Sequence, residues 1–417
     1  MSGALFDGVD AKRLVERLIP SDALPFDVHE LLNVLIKDGV YNAIGECKWV
    51  EWPEVHIYNR RIGLKDKSDA TSMDIRLAAY FQELINRARE MTPAKKNSLI
   101  PQRGWYIGYI DIAEDLAYGP SYKRKSKPSC ILWELTDNAR KFNCCHPLLL
   151  LEQRSEERQM EDALQRTFIK LSLLMQAEAR RFAIGIAIVC REMRLMFANR
   201  SAVLVTAPID FHNEPEIFLK VVVGSAFVEL QYLGLDTSMA HLLKLVTNAT
   251  FATVKLGRIN FQNKSYEVVQ QIRKRNFSLH NDATYCYLVK DKDAGRNLII
   301  KESWVPTSED CMEQEVLKEL AGVQNVAQLI DEQVVNLGDR HHLTTSIVND
   351  LCPARPNKRK VGSSGEKIIT VVERINRRYL FGPYCESMLS FRTRKELVNG
   401  FIDWVEGTQT NLSTHRV

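Results

Sequence analysis

The stretch KDKDAGRNLIIKESW, Lys290 to Trp304, decides how this chain is read, together with MEQEVL, Met312 to Leu317, just after it. The apolar run Leu298-Ile299-Ile300 has strand character and delivers one lysine, Lys301. Period-two alternation puts Ile299 and Lys301 on one face and Ile300 on the other. A charge among such neighbours needs a partner. Fourteen residues on, Glu315 lies in a segment with helical spacing and is the expected partner. Glu313 and Glu319 are the alternatives, because the helix phase is open by a residue or two. Glu319 shares a face with Glu315. A strand lysine held by a carboxylate on the next helix is one way a fold presents an ammonium to nucleotide phosphates. Taken alone, the same residues also suit a surface lysine followed by a solvated helix.

Further segments bear on that choice. ARRFAIGIAIVCREMRLMFANRSAVLVTAPIDFHNEPEIFL, Ala179 to Leu219, holds an Arg-Arg-Phe strand and a second strand ending in the turn Asn199-Arg200-Ser201. A helix entry follows it. YLGLD comes next, Tyr232 to Asp236. EVLKELAGVQNVAQLID runs from Glu315 to Asp331, and RRYLFGPYCESMLSFRTRKELVNGFIDWVEG from Arg377 to Gly407. In this order, and with NLIIKESW between them, these segments resemble the fungal-type protein kinase family. The resemblance implies an α+β chain: a helix-covered mixed-sheet accessory domain, then a protein-kinase-like N-lobe and the first helix of an incomplete C-lobe.

It also implies roles. Lys301 would contact the α- and β-phosphates of ATP, bound with magnesium, and Glu315 would hold Lys301 in place. Adenine would be read by backbone groups near Gly382-Pro383-Tyr384-Cys385. Ile299 and Leu288 would line the slot or serve as strand core, and Trp304 would pack. The implied activity is ATP-dependent phosphotransfer to protein Ser or Thr, with a protein substrate or a scaffold partner.

The chain departs from the family in two places. Ser278 to Asp291, SLHNDATYCYLVKD, has no glycine where the family usually has a glycine-rich turn. Asn281, Asp282 and Ala283 leave phosphate less room, and Asp282 repels it. A kinase also needs a catalytic-loop aspartate, a metal-binding asparagine and the Asp of a D-F-G motif. All three normally follow the helix that ends near Gly407, and none occurs before Val417. His415-Arg416 matches the start of an H-R-D loop in two residues only. The polypeptide as written is therefore expected to lack phosphotransferase activity, with no catalytic residue or metal ligand to name. A pseudokinase or scaffold module is the alternative.

Composition bounds these readings. A chain of 417 residues allows two or three domains, and 45% hydrophobic with 26% charged residues is ordinary globular chemistry. A net charge of +4 is too mild to argue for nucleic-acid binding. No apolar run spans a bilayer, and MSGALFDGVDAKR lacks a secretory pattern. The nine cysteines never form a C-x-x-C pair, which suits reduced thiols in cytoplasm or nucleus. Cys144-Cys145-His146 reads as coincidence, since adjacent strand residues face opposite ways.

Along the chain, residues 1–45 read as a helical segment, with Asp10, and Asp27 with Glu30, as helix starts and Gly39 as a C-cap. Residues 46–258 read as the accessory domain. In it, Trp49, Trp52 and Tyr58 look strand-like and Ile75 to Met91 helical. Lys123 to Lys127 looks like a basic loop, followed by strands in CILWEL and PLLLLEQ. Those strands echo a nuclease-type fold. However, Lys127-Pro128 is followed by Ser129, and Glu152-Gln153-Arg154 keeps one carboxylate of the set that a metal-dependent hydrolase needs. A helix over Glu156 to Arg180 precedes the strands Phe182–Cys190, Arg194–Ala198 and Ala202–Thr206. Asn213 and Glu216 read as the cap of the next helix, with Pro215 in its first turn. Residues 259–417 read as the kinase-like part. There Val326 to Ile330 and Gln333 to Leu337 look like strands, and 352–366, with Lys358-Arg359-Lys360, reads as a flexible insertion.

Overall fold

A computed structural model describes residues 4–45, 48–53, 67–93, 100–107, 110–113, 123–126, 128–134, 147–177, 180–239, 257–275, 283–309, 312–323, 327–337, 340–341, 344–352, 371–384 and 393–414. Tyr58, the Cys144-Cys145-His146 triplet, Asn281 and Asp282, Cys385, His415-Arg416 and residues 353–366 of the expected insertion lie outside them. The chain divides into two compact units. One is Met1–Thr237 with Leu245–Thr250 and Thr345–Val371. The other is Ser238–Lys244, Phe251–Thr344 and Val372–Val417. Helix and strand contribute comparably, which makes the chain α+β. The helices are α1 Ala11–Leu18, α2 Val28–Lys37, α3 Lys67–Met91, α4 Met160–Ala177, α5 Pro215–Val222, α6 Met312–Glu319, α7 Ser346–Leu351 and α8 Arg394–Thr414. Among the described residues no helix is long and apolar enough to cross a membrane.

The strands of the first unit are β1 Ala4–Val9, β2 Arg103–Tyr106, β3 Ile110–Ala113, β4 Lys123–Ser126, β5 Cys130–Glu134, β6 Leu149–Arg154, β7 Phe182–Val189, β8 Glu192–Asn199, β9 Ala202–Thr206 and β10 Ile209–Asp210. The main sheet runs β1-β9-β8-β7-β6-β5-β2, with β10 paired to β8. Its pairing is mixed: β6 with β7 and β1 with β9 are parallel, the others antiparallel. β7 is buried along its whole length. Its large residues Ile184, Ile186 and Ile188 join the main core with α1, α2, α3 and α5. Its small residues alternate onto the face covered by α4, where Ala187 and Val189 pack with Ala163. Gly185 is the closest approach: a Cβ there would stand 2.4 Å from Thr167 Cγ2.

Several expectations change here. Residues 1–45 are not purely helical, because Ala4-Leu5-Phe6 pairs in parallel with Ala202-Val203-Leu204 and ties the N-terminus into the main sheet. The helix starts stand: the Asp10 and Asp27 carboxylates accept from Arg13 N and Glu30 N, each at 2.9 Å. Pro215 opens α5, but Asn213 does not cap it. The Asn213 amide donates instead to Asp210 at 2.7 Å, and the N-cap is Glu214 with no side-chain cap. The basic run Lys123–Ser126 is strand β4, antiparallel to β3, and not a loop. Trp49 and Trp52 are core residues either side of the turn Val50-Glu51; Trp49 makes an isolated antiparallel bridge with Tyr41, and its Nε1 donates to Phe211 O at 2.8 Å. α3 begins at Lys67, earlier than its apolar stripe indicates, and α4 ends at Ala177.

The second unit holds β11 Arg258–Phe261, β12 Lys264–Arg275, β13 Thr284–Asp291, β14 Arg296–Pro306, β15 Gln328–Val334, the short pair β16 Asn336–Leu337 and β17 Arg340–His341, and β18 Arg374–Gly382. Its sheet is antiparallel in the order β11-β12-β13-β14-β18-β15. Of the expected pair of strands after α6, the described part of the first and the start of the second form one strand, β15, with a register shift between Leu329 and Asp331, and Asn336-Leu337 form β16. The two ends of the sheet meet. Gln262, in the β11–β12 turn, donates from its backbone N to Gln333 Oε1 at 2.5 Å and from its side chain to Glu332 O at 3.2 Å. The sheet is thus curled around an interior.

Candidate functional site

Alternation along β14 sets the site. Leu298, Ile300, Glu302 and Trp304 are buried in the curled sheet, whereas Ile299 and Lys301 lie on the other face and are partly exposed. The cross-strand rows on that face are Leu288–Ile299–Phe381 and Cys286–Lys301–Tyr379. Lys301 therefore sits in mid-sheet, flanked on both sides, with its Nζ 5.8 Å from the centre of the Tyr379 ring. Ile299 and Leu288, the residues expected to line an adenine slot, are its neighbours one row along.

The partner of Lys301 is Glu313: its carboxylate accepts a hydrogen bond and ion pair from Nζ. The expected partner, Glu315, is exposed on the same helix. The correction is one of helix phase. Glu313, Gln314, Leu317 and Leu320 are half-buried, which marks the inward side, and Gln314 bonds Glu332 on β15. Two residues along a helix turn the side chain by about 200°, so facing Glu313 to the sheet faces Glu315 away. No residue of α6 is fully buried. Two adjacent polar contacts in its first turn hold it to the sheet.

The interior face of β14 carries a second charged pair that sequence reasoning missed. Glu302 and Arg378 are both essentially inaccessible, and Arg378 Nε donates to Glu302 Oε2 at 2.7 Å. Asn376 Nδ2 donates to the other carboxylate oxygen at 3.1 Å. Arg378 Nη1 reaches Ser238 Oγ at 2.6 Å and Asn260 O at 3.4 Å. The signal was available: NRRYLFG on one strand and KES on another both place a charge where an apolar residue belongs. Trp304 packs in the same interior and its carbonyl accepts from Arg374 at 3.1 Å.

Compared with family models, the chain matches that of the fungal protein kinase over residues 134–416. The chain belongs to the fungal protein kinase family. Neither the curated proteins nor the solved structures gave a match.

The match reaches into the first unit, where two segments of the fungal protein kinase resemblance close on each other. Arg181 N donates to Gly234 O at 2.9 Å, and the Arg181 guanidinium meets the Asp236 carboxylate at 3.2 Å with both side chains buried. Gly234 has φ +85°, and a Cβ there would stand 2.0 Å from Phe182 O. The Arg-Arg-Phe strand and the Leu-Gly-Leu-Asp turn thus form one joint. The Asn199-Arg200-Ser201 turn is structural too: Asn199 Oδ1 accepts from Ser201 N and Ala202 N, both at 2.9 Å, and buried Arg200 donates to Met175 O. Glu152, the carboxylate of the nuclease echo, is buried against Lys170 and lies 3.3 Å from Arg154. Protein cations occupy the side of the carboxylate that a metal ion would need. Among the described residues no group of three or more His, Cys, Asp or Glu side chains is placed to hold a metal.

Proposed function

We propose that the second unit is a kinase-like N-lobe that binds ATP, with Lys301 as its phosphate contact and Glu313 as the carboxylate that holds Lys301. One observation carries this reading: a lysine on the third strand of β12-β13-β14 meets a glutamate on the helix that directly follows, α6, as the strand lysine and helix glutamate do in protein kinases. The donor set fits a phosphate. Lys301's side chain is 23% exposed and Glu313's 35%, so an oxyanion can reach the ammonium without opening the core. A compact ammonium suits such a point contact. The donor set does not fit a metal, so magnesium would have to be held by the nucleotide and by residues other than those described. When bound, the ion neutralises phosphate charge. Lys301 would orient the phosphates, Glu313 would limit the ammonium's freedom, and the apolar row Leu288–Ile299–Phe381 would serve the adenine one step along the sheet.

Family membership implies protein Ser or Thr as the acceptor class for any ATP-dependent phosphotransfer, and Lys301 with Glu313 accounts for the ATP-binding part of it. A scaffold that binds without catalysis is the second reading, favoured by the sequence Ser278 to Asp291, which has no glycine where the family has a glycine-rich turn over the phosphates. The test is thermal unfolding of the full chain with ATP and magnesium. A rise in Tm is expected, because only the native state binds. Lys301→Met and Glu313→Gln should each remove most of it, and Glu315→Gln should leave it intact. No shift at millimolar ATP, or a shift indifferent to Lys301→Met, would sink the nucleotide site. Phosphate transfer abolished by Lys301→Met separates the kinase from the scaffold.

A further inference from the structure

Apolar burial and charge both select the faces of β14, with Trp304 and Glu302 on the inward side. Leu298 and Ile300 point inward and Ile299 outward. A slip of one residue against β13 and β18 would exchange these three for one another and would also turn the fully buried Trp304 outward. The next two positions carry opposite charges and discriminate strongly. In the observed register Glu302 enters the interior opposite Arg378 and Lys301 faces outward opposite Tyr379. A slip would turn Lys301 inward toward Arg378, setting two cations together away from water, and would expel the carboxylate that Arg378 now has.

We propose that Glu302, through Arg378, is the positioning residue that keeps Lys301 on the outer face beside Glu313. Its partners suit that role. Each carboxylate oxygen has its own donor from β18, Arg378 or Asn376, and Arg378 also binds Asn260 O on β11 and Ser238. The network thus ties β14, β18 and β11 together from inside. Fixing register is the best-attested use of a buried charged pair, whose net contribution to stability is often small. The proposal draws its functional weight from Lys301 being the phosphate contact, but the register itself is measurable without nucleotide.

Cys286 and Lys301 are direct cross-strand partners on the outer face, so a short amine-to-thiol cross-linker should join them. Peptide mapping of the full chain, without nucleotide, reads this link. Arg378→Gln keeps a donor where Nε stands, gives up the Nη1 contacts and removes the charge that selects Glu302. The Cys286–Lys301 link should fall at least threefold. Reversing both charges, Glu302→Arg with Arg378→Glu, should restore it to within twofold of wild type. Trp304→Phe, which loosens the same interior without touching a charge, should lower Tm and leave the link within twofold. An undiminished link in Arg378→Gln overturns the proposal. So does a charge-reversed pair that fails to recover both fold and link. Tm shifts with ATP on the same proteins separate the two ideas: a lost link with an unchanged shift would remove Lys301 from the nucleotide site and leave the register role standing.

Discussion

Gly234→Ala tests the joint that two family segments form in the first unit. Gly234 has φ +85°, where an L side chain costs about 1–2 kcal/mol. The larger effect is steric. The new methyl would stand 2.0 Å from Phe182 O, a backbone atom that cannot swing aside as a side-chain end does. Relief requires the turn to move away from the start of β7, which strains the Arg181 N to Gly234 O bond and the buried Arg181–Asp236 pair. Leaving such a pair half-made costs about 3–5 kcal/mol, so roughly that much local destabilisation is expected. Gly8→Ala is the control: φ is +78°, yet nothing lies within 4 Å of its added Cβ, so only the backbone cost of about 1–2 kcal/mol applies. The two units need not unfold together, so one global free energy is a poor measure. Native-state hydrogen exchange at the Arg181 amide is a better one. At about 1.4 kcal/mol per decade, its protection should drop by roughly two to three and a half orders of magnitude in Gly234→Ala. Arg181 protection within threefold of wild type would refute the steric reasoning.

Two further outcomes follow from charged contacts. Lys264 bridges Asp291 at 2.8 Å and Asp293 at 3.0 Å, and its hydrogen bond is the main cause holding the Asp291 carboxyl below its ordinary 3.8. That contribution is complete above the unfolded value and is lost as pH falls through the lower folded one. Lys264→Ala should therefore move the Asp291 midpoint up toward 3.8 in a carboxyl NMR titration, and an unmoved midpoint would refute the assignment. In the first unit, burial is the main cause lowering the Lys170 pKa, with Glu152 opposing it. Lys170→Met strands the buried Glu152 carboxylate with Arg154 and should destabilise the unit by about 3–5 kcal/mol in urea unfolding, whereas Glu152→Leu with Lys170→Met should recover most of that. A single variant as stable as the double would show that the pair carries no such role.

Much of this architecture is legible locally. The strand that delivers Lys301, the helix after it and the meander from Phe182 to Thr206 all follow from periodicity within a dozen residues. What periodicity leaves open is phase. It shows that α6 is a helix and not that Glu313 faces the sheet, since its acidic residues recur every two to four positions and each choice of face has a carboxylate. Structure resolves this through contacts far apart in sequence: Lys301 and Glu332 take adjacent residues of one turn, and only one rotation serves both. β1 was missed for a similar reason, because its partner β9 lies some 200 residues away and a short parallel strand has no turn beside it to announce it. The interior pair applies the same logic to β14. Ile299 and Ile300 are alike, so beside the buried Trp304 it is Arg378, on the neighbouring strand β18, that bears on which of Lys301 and Glu302 meets solvent. A charge in an otherwise apolar strand is then better read as a statement about its distant partner than about its own exposure. For this chain that partner determines which side of the sheet bears the ammonium.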